Sequence, residues 1–564
     1  MKITNLRLIA EYIDKTEEYP FSSGKYNANG ISFLLEEKDG TYRVAARGEK
    51  PLALRSMAVE FTYQSDCDFT EAHVYQTNCR PCWKSGYVKV EDALPESLNY
   101  GVVCAYNEPC FYMGTMLPQN TLQEYWAKVL QKNTLLVTAK VQFTRGQAKQ
   151  TALFSEWVWL CDTLPLLEAT RTWAALQPAL EEQEPIAYGW NSWDYYFETV
   201  SHQDVMENAE AIRNDPVFSQ KVKYITIDDG WSHDWGEWEP NYRFPKGMKH
   251  TADCIRAHGF VPGIWTSPFS VRKDSYYGRR CPDFLVKDDN GDPYGPSQRF
   301  FVDPTSPSGE KFLFDLYKGL YDAGYRFFKT DFISDLLNCP GFFREELGYY
   351  EVIRHFYKIM RSAVGEDAKI LGCNLPAEVG GGVVESNRIG LDIHNNWNDV
   401  KRIVDYLQAR FWWGEHVSTV DSDFMLARGP QTSTEQPCNA VTLQSRSNGK
   451  DISLFTPEEA KSWVRLSAFC GGNRMLSDRI SVLTDEALSI LYDGFSFEEH
   501  PHYVPLDFGR KPLAEYWYKK TADAEYLLII NFEETPQMMG EGIDLPFAVA
   551  PQMLAPHASV LIKR

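Results

Sequence analysis

The sequence lacks any apolar run that reaches the length of a membrane-spanning helix, about eighteen residues. Near the N-terminus, Asn5, Arg7 and Glu11 interrupt the apolar residues before a secretory signal core could form. Positive charge is also in deficit, because 57 Lys and Arg stand against 77 Asp and Glu, a formal net charge of −20. This charge repels phosphates and anionic lipids. We therefore expect a cytoplasmic protein whose partners include neither nucleic acid nor a membrane.

Patterns of metal, redox and phosphate chemistry are equally scarce. The twelve cysteines are scattered along the chain, which is typical of reduced thiols rather than of a disulfide framework. One CxxC pair, Cys79 and Cys82, is followed by no second CxxC or histidine pair. The eleven histidines show no metal-ligand spacing, and the glycine-rich VGGGVVES lacks the Lys-Ser/Thr of a phosphate-binding loop. We expect neither a metal nor a cofactor.

What the sequence has in quantity is aromatic and hydrophobic residues, 14% and 44% of its 564 residues, enough for two or three folded domains. Short alternating β-rich segments over 1–175 predict an N-terminal β-sandwich. Over 176–490, brief apolar runs alternate with longer amphipathic ones, which predicts a catalytic α/β domain. Strand patterns return over 491–564 and predict a small C-terminal antiparallel β domain.

The middle region contains eight candidate strands, and helical patterns separate them. One predicted helix begins after Ser201, a typical N-cap residue, and another ends at Gly365. Eight strands alternating with helices over roughly 300 residues predict a (β/α)₈ TIM barrel. The candidate strands are IAYGW, VKYITIDD, FVPGIW, YRFFKTDF, KILGCN, NRIGLDI, HVSTVDSD and LSAFCGG.

Polar residues follow several of these apolar strands, at the end where TIM barrels carry their chemistry. A single aspartate at a strand end could simply cap the next helix, but five strand ends together favour a functional site. Carboxylates accept hydrogen bonds from sugar hydroxyls, and indole rings cover sugar faces, so the set predicts a sugar pocket. Its members are Asp228, Asp229, Lys329, Asp331, Cys373, Asn374, Arg388, Asp392, Asp421 and Asp423, with Trp190, Trp193, Trp231 and Trp265 nearby.

A resemblance to a known family is carried by four ordered segments, YGWNSWDYYF, YITIDDGW, FFKTDFI and AVGEDAKILGCNLPAEVGGGVVESNRIGLDI. They resemble the strand-end motifs of the retaining α-galactosidases (melibiases) of glycoside hydrolase family 36, in clan D. The similarity covers about 180–480 and continues through VDSDFMLARG and LSAFCGGNRMLSD. The resemblance implies a β-sandwich, a catalytic barrel and a small C-terminal β domain. This is the same order of domains that the strand and helix patterns predict.

The resemblance also implies catalytic roles. Asp331, in the K-x-D motif, would be the nucleophile that forms a covalent glycosyl-enzyme, and Asp392, in the R-I-G-x-D motif, would be the acid/base. This chemistry requires Asp331 to be ionised and Asp392 protonated in the resting enzyme. Lys329, on the same strand face as Asp331, would favour the ionised nucleophile and could bind a sugar hydroxyl.

Further residues would bind the sugar. The resemblance implies that Asp228 and Asp229 accept hydrogen bonds from O4 and O6, and that Arg388 and Cys373 lie near O2. Trp190 and Trp265 would form walls, with barrel packing as the alternative for each. Trp83, beside the CxxC pair, would be an aromatic that the N-terminal domain contributes to the pocket, or else a tryptophan on the sandwich surface.

Three departures from the family pattern bear on specificity. Asn374 introduces a larger amide near the 2-position, Leu391 replaces the usual Pro before the acid/base, and VDSD stands at 420–423 where N-D-P-D is common. The expected function is retaining exo-hydrolysis of small α-galactosides of the melibiose and raffinose type. The alternatives are an α-N-acetylgalactosaminidase, a galactosyl transferase of the raffinose-synthase type, and a carbohydrate-binding protein built on an inactive hydrolase barrel.

Overall fold

The computed structural model describes residues 2–70, 72–76, 86–90, 101–104, 109–181, 185–280, 282–373, 375–435, 454–497, 502–540 and 542–564. Three residues discussed above, Cys79, Cys82 and Trp83, lie outside these ranges, as does Asn374. The predictions made for them stay predictions. Among the described residues, no helix combines the length and the apolar character needed to cross a bilayer.

The N-terminal region consists of two antiparallel sheets with apolar cores between them. Alternation builds the inner faces: in the first strand Leu8, Ala10 and Tyr12 are buried, while the residues between them are partly exposed. In spatial order, one sheet contains Leu122–Gln131, Thr134–Gln142, Leu54–Gln64, Lys2–Tyr12 and Thr16–Pro20. The other contains Lys25–Ala28, Ile31–Lys38, Thr41–Gly48, Val158–Cys161, Phe111–Thr115, Gly101–Cys104, His73–Gln76 and Gly86–Lys89, and Ala152–Phe154 pairs with Thr41–Gly48.

The central region is a closed parallel barrel, which confirms the predicted fold class. Its seventh strand is interrupted: Thr419–Asp421 pairs with the sixth strand, and Phe424–Met425 pairs with the eighth. The ring therefore closes through two short ladders, with Ser422 and Asp423 at the break. In order, the strands are Tyr188–Asn191, Tyr224–Ile227, Val261–Thr266, Phe327–Thr330, Lys369–Cys373, Ser386–Arg388, the interrupted seventh, and Arg474–Leu476.

The prediction for the eighth strand was wrong. LSAFCGG begins inside the helix Pro457–Phe469, and the strand lies just after it at Arg474–Leu476. The helix starts from Thr456, whose hydroxyl accepts from the backbone of Glu459 while the Glu459 carboxylate accepts from Thr456 N–H. This capping box, with Pro457 in the first helical position, stabilises a helix over the apolar run.

The longer helices between the barrel strands bury apolar faces. Ser201 caps its helix as predicted and forms a capping box with Asp204. Gly365 follows the last residue of the helix Tyr349–Val364, also as predicted. The α-helices are Leu166–Ala174, Trp193–Tyr196, His202–Asn214, Phe218–Lys221, Gly247–Ala257, Tyr276–Arg280, Pro307–Ala323, Tyr349–Val364, Trp397–Ala409, Trp413–His416, Pro457–Phe469 and Asp485–Ser496.

The C-terminal region returns to antiparallel sheets. Its core contains Leu527, Ile529 and Phe547, and its strands pack beside the last barrel helices. The four-stranded sheet contains Val504–Pro505, Tyr516–Lys520, Glu525–Ile530 and Ser559–Lys563, and a hairpin pairs Gln537–Met539 with Gln552–Leu554.

The N-terminal sheets contact the barrel beside the segment that follows the fifth strand. Gln119 N–H donates to the carbonyl of Glu378 at 2.8 Å. The Arg354 guanidinium donates to the carbonyls of Gln119 (2.8 Å) and Val379 (3.2 Å). These bonds fix the segment around Glu378 and Val379 against the first domain, close to the C-terminal ends of the barrel strands.

Candidate active site

Asp331 directly follows the fourth strand, and two donors orient its carboxylate. Trp265 Nε1 donates to Oδ2 at 3.1 Å, and Phe332 N–H donates to Oδ1 at 2.7 Å. Phe332 adopts the left-handed conformation at φ 57°, which is strained for a bulky side chain and turns the chain sharply after the carboxylate. Asp331 is half-buried, so a ligand can reach a carboxylate that the surrounding groups hold in place.

Lys329 forms an ion pair with Asp228 within the barrel. Lys329 Nζ lies 2.8 Å from Asp228 Oδ2, which also accepts from Asn191 Nδ2 at 2.8 Å. Burial opposes the ammonium charge, but the nearby acidic groups, Asp228 first among them, together hold the pKa of Lys329 above its usual value. The sequence predicted that the charge of Lys329 would favour the ionised form of Asp331. The direct contact of Lys329 is instead with Asp228.

Asp229 has a different environment from its neighbour Asp228. Gly230 N–H donates to its Oδ1 at 2.7 Å, and Trp235 Nε1 donates to its Oδ2 at 3.1 Å. Burial raises the pKa of Asp229 to about 7, and the charge of Asp228 adds to this rise. Near neutral pH Asp229 is therefore partly protonated, whereas Asp228 forms an ion pair with the ammonium group of Lys329.

Arg388 lies between two carboxylates. Its Nη2 donates to Asp392 Oδ1 at 2.7 Å, and its Nη1 is 2.8 Å from Asp423 Oδ1. Trp193 Nε1 donates to the other oxygen of Asp392 at 3.3 Å. The Arg388 side chain is buried, while that of Asp392 is 36% exposed, so solvent or a ligand reaches Asp392 from the opposite side.

The surroundings of Asp392 do not favour the protonated resting state that the acid/base role requires. Burial raises its pKa, but the positive charges of Arg388 and Lys329 outweigh burial and hold the pKa of Asp392 below its usual range. The carboxyl with a raised pKa is instead Asp423, at about 7, where burial prevails over the attraction of Arg388. Of the two carboxyl groups that share Arg388, Asp423 therefore holds a proton more readily than Asp392.

The environment of Cys373 connects these groups. The thiol is fully buried at the end of the fifth strand, and burial raises its pKa. The charges of Asp331 and Asp392 both act on this thiol, and both also act on Arg388. The carboxylates that follow the fourth and sixth strands therefore lie at the same end of the barrel as this thiol, which ends the fifth strand between them.

The tryptophans divide into core and pocket residues. Trp190 is fully buried and donates from Nε1 to the carbonyl of Asp478 at 2.9 Å, so the structure places it in the barrel core, its packing alternative, rather than in a wall. Trp265 is almost fully buried and contacts the site through its bond to Asp331. The partly exposed aromatic surface is formed by Trp235 and Phe332, whose ring centroids are 5.2 Å apart.

Sequence reasoning missed Trp235 and a buried charge cluster. In the cluster, Arg428 pairs with Asp194 and with Asp478, and His394 Nδ1 bonds Asp194 Oδ1 at 2.5 Å. Asp478 follows the eighth strand, Arg474–Leu476. The search for polar residues after apolar strands missed Asp478 because the eighth strand was predicted at LSAFCGG. Trp235 lies in the turn between Ser232–Asp234 and Glu237–Pro240, a hairpin that the strand analysis did not consider.

Comparison with known proteins gives local sequence similarity and a shared fold. No protein-family model matches the chain. It is 34% identical over 83 residues to an α-galactosidase of Oryza sativa subsp. japonica, a match that covers 14% of this chain and 20% of the rice protein. It is 28% identical over 132 residues to an A type blood α-D-galactosamine galactosaminidase of Flavonifractor plautii, covering 21% of this chain and 12% of that protein. The matches thus span a fifth or less of these relatives.

Solved structures resemble this chain over much more of its length. The α-galactosidase of Thermus thermophilus in complex with stachyose aligns with a TM-score of 0.61 at 20% identity, over 84% of this chain and 99% of that one. A family 27 β-L-arabinopyranosidase of Geobacillus stearothermophilus aligns with a TM-score of 0.50 at 17% identity, over 68% and 96%. The chain shares its fold with these glycosidases.

Proposed function

We propose that this protein is a retaining glycoside hydrolase of family 36 that removes terminal, non-reducing α-D-galactosyl residues from small oligosaccharides of the melibiose and raffinose type, without a cofactor. The observation that carries this proposal is that Asp331 and Asp392 follow the fourth and sixth strands of one parallel barrel, Asp331 bonded to Trp265 Nε1 and Asp392 to Arg388. Retaining hydrolysis needs two carboxyl groups on either side of the scissile bond. The local similarity to α-galactosidases supports the choice of sugar.

In the first step Asp331 attacks the anomeric carbon. A bond forms between that carbon and a carboxylate oxygen, the glycosidic bond breaks, and the departing oxygen takes a proton from Asp392. The bonds from Trp265 Nε1 and Phe332 N–H restrict the Asp331 carboxylate before substrate arrives. In the second step Asp392 removes a proton from water, which attacks the same carbon and releases Asp331.

Asp392 must carry a proton before the first step. That proton can come from Asp423, because both carboxyl groups contact Arg388. The guanidinium already contacts Asp423, whose pKa is raised to about 7 by burial. When Arg388 pairs wholly with an ionised Asp423, Asp392 loses the cation that keeps it ionised, and the proton can reside there instead. This exchange leaves the net charge of the three groups unchanged, so it adds no buried charge.

Sugar recognition would use the acids after the second strand. Asp229, whose Oδ2 already accepts from Trp235 Nε1, can accept a hydroxyl proton or donate its own near neutral pH. Asp228 binds Lys329 and adds negative charge that the ammonium balances. An acceptor fixed in this way distinguishes the axial O4 of galactose from the equatorial O4 of glucose.

A second candidate function is the hydrolysis of 2-acetamido-α-galactosides, because one relative is by its name a galactosaminidase. The test compares initial rates of p-nitrophenol release from p-nitrophenyl α-galactoside and from its 2-acetamido counterpart. Faster turnover of the plain galactoside supports the main proposal. A preference for the acetamido sugar supports the second candidate, and no turnover of either contradicts both. Transfer to sugar acceptors is distinguished by adding sucrose and analysing the products.

The nucleophile assignment has its own test. Asp331→Ala should lower kcat by at least about a thousandfold, and azide should partly restore turnover with β-galactosyl azide as the product. That configuration follows because azide attacks from the face that Asp331 occupies. Undiminished activity in the variant, or an α-configured azide product, would remove Asp331 from this role.

A further inference from the structure

Three potential metal ligands meet on the outside of the barrel, away from the candidate active site. His202 is the first residue of the helix His202–Asn214, and His250 and Cys254 lie on the helix Gly247–Ala257. One ligand atom from each of the three side chains lies within 4.8 Å of the other two. All three residues are half-buried, so they are held in place and still accessible to an ion. We refer to them as the His–His–Cys cluster.

The separation of the two ligands on one helix suits a zinc ion. Cys254 Sγ lies 3.6 Å from His250 Nε2. A tetrahedral zinc ion with Zn–S of about 2.3 Å and Zn–N of about 2.05 Å requires a sulfur-to-nitrogen separation of about 3.6 Å. Residues four apart project from the same helix face, so the backbone already provides this spacing. Binding therefore requires little movement of either side chain.

The third ligand is oriented by a neighbouring hydroxyl. Thr251 Oγ1 donates to the carbonyl of Gly247 at 3.3 Å and lies 3.0 Å from His202 Nδ1. In the tautomer in which Nδ1–H donates to this hydroxyl, His202 Nε2 keeps the lone pair that can bind an ion. Metal-binding histidines commonly donate their second ring nitrogen to an oxygen in this way.

The two histidines of the cluster lie against each other. The His202 and His250 rings are stacked, with centroids 5.4 Å apart, which keeps both imidazoles on one side of the space between the helices.

We propose that the His–His–Cys cluster is a binding site for a soft divalent cation, zinc, with a water molecule as the fourth ligand. A thiolate and two imidazoles select zinc over magnesium or calcium, which prefer oxygen ligands. The ion would join the two helices that precede and follow the second strand Tyr224–Ile227, and it would stabilise the barrel rather than take part in the reaction.

The first test is a titration of the full-length protein with zinc chloride against a chromophoric chelator. The wild type should bind one zinc ion that the Cys254→Ser and His250→Gln variants bind at least tenfold more weakly. The matched control is the Cys79→Ser/Cys82→Ser variant, which removes the other candidate thiols and should retain the ion. Zinc should raise the Tm of the wild type and of this control, but not that of Cys254→Ser.

Cobalt and thiol labelling keep the test independent of how well a variant folds. Cobalt bound to the wild type should give a thiolate-to-cobalt charge-transfer absorption, and zinc should slow alkylation of Cys254 by N-ethylmaleimide at least tenfold. The absence of saturable zinc binding, binding retained in Cys254→Ser but lost in Cys79→Ser/Cys82→Ser, or unprotected alkylation would each overturn the proposal.

Discussion

Lys329 Nζ lies 2.8 Å from Asp228 Oδ2, and each side chain is at most 4% exposed. The two residues belong to the fourth and second strands, so the pair passes over the third strand inside the barrel. It thereby links the residues before Asp331 to the acids after the second strand. The charge that the sequence suggested for the nucleophile instead balances Asp228.

Lys329→Met should strongly destabilise the fold. The substitution leaves a buried carboxylate without its cation, which costs about 3–5 kcal/mol in the free energy of unfolding. The Asp228→Asn/Lys329→Met double variant should recover part of this loss, because neither residue is then charged. Urea unfolding of the wild type, both single variants and the double variant measures the coupling. Strictly additive losses would show that the pair contributes no interaction of its own.

Arg388→Met should raise the pKa of Asp392, because the cation that holds it down is removed. The alkaline limb of the kcat/KM profile, where the general acid loses its proton, should then move to higher pH whatever the remaining rate. Asp423→Asn is the matched control. It removes the carboxylate that competes for Arg388, so the same limb should move to lower pH. Shifts in the same direction in both variants would contradict the proposed exchange.

Trp235→Phe should weaken substrate binding. The ring is preserved, but Asp229 loses the bond from Nε1, and one hydrogen bond to a charged group corresponds to about a tenfold fall in kcat/KM. Trp238→Phe is the comparison, because Trp238 packs near the same Trp265 while its Nε1 has no hydrogen-bond partner among the described residues. Steady-state kinetics of the two variants should therefore differ, and equal losses would exclude a specific role for the Trp235 N–H.

Glu378→Gln should stabilise the protein at alkaline pH. Burial raises the pKa of Glu378 to about 7, and its Oε2 has no hydrogen-bond partner among the described residues. The stability associated with the raised pKa is complete below the unfolded value, near pH 4.5, and is lost as pH rises through about 7. At pH 8.5 the glutamine variant should therefore be more stable by about 3 kcal/mol, with little difference at pH 4.5.

Thermal or urea unfolding of the wild type and of Glu378→Gln between pH 4.5 and pH 8.5 tests this predicted gain in stability. Glu366→Gln serves as the control, because the Glu366 side chain is 88% exposed and its substitution should change stability little at any pH. A gain in Glu378→Gln that is the same at pH 4.5 and pH 8.5 would indicate a packing effect instead of ionisation.

Much of the barrel could be predicted from short apolar runs that end in polar residues. This pattern locates Asp228 and Asp331 correctly because parallel strands are buried on both faces and change character abruptly at their ends. It fails at LSAFCGG, because an apolar run of that length fits a buried helix as well as a strand. The capping box at Thr456 and Glu459, itself visible in the sequence, would have resolved the ambiguity.

The pairing of charges was not accessible from local patterns. Arg388 ends strand six and Asp423 lies at the break in strand seven, and the pairing of these two strands brings the guanidinium to that carboxylate as well as to Asp392. The opposite pKa shifts of the two aspartates depend on this sharing, so local patterns could name candidate residues but not the relative pKa of their carboxyl groups. The spacing of histidines alone also did not reveal the His–His–Cys cluster, because one ligand is a cysteine four residues after His250 and the third comes from another helix.

The interrupted seventh strand separates the closure of the ring from the Arg388–Asp423 ion pair. Asp423, at φ 77°, stands between the two ladders, and the ladder to the sixth strand pairs Arg388 with Asp421, two residues before it. The ion pair therefore lies on the sixth-strand side of the break, while Phe424 and Met425 pair with the eighth strand on the other side. A substitution that loosens only the second ladder would open the ring at this point and leave the ion pair in place.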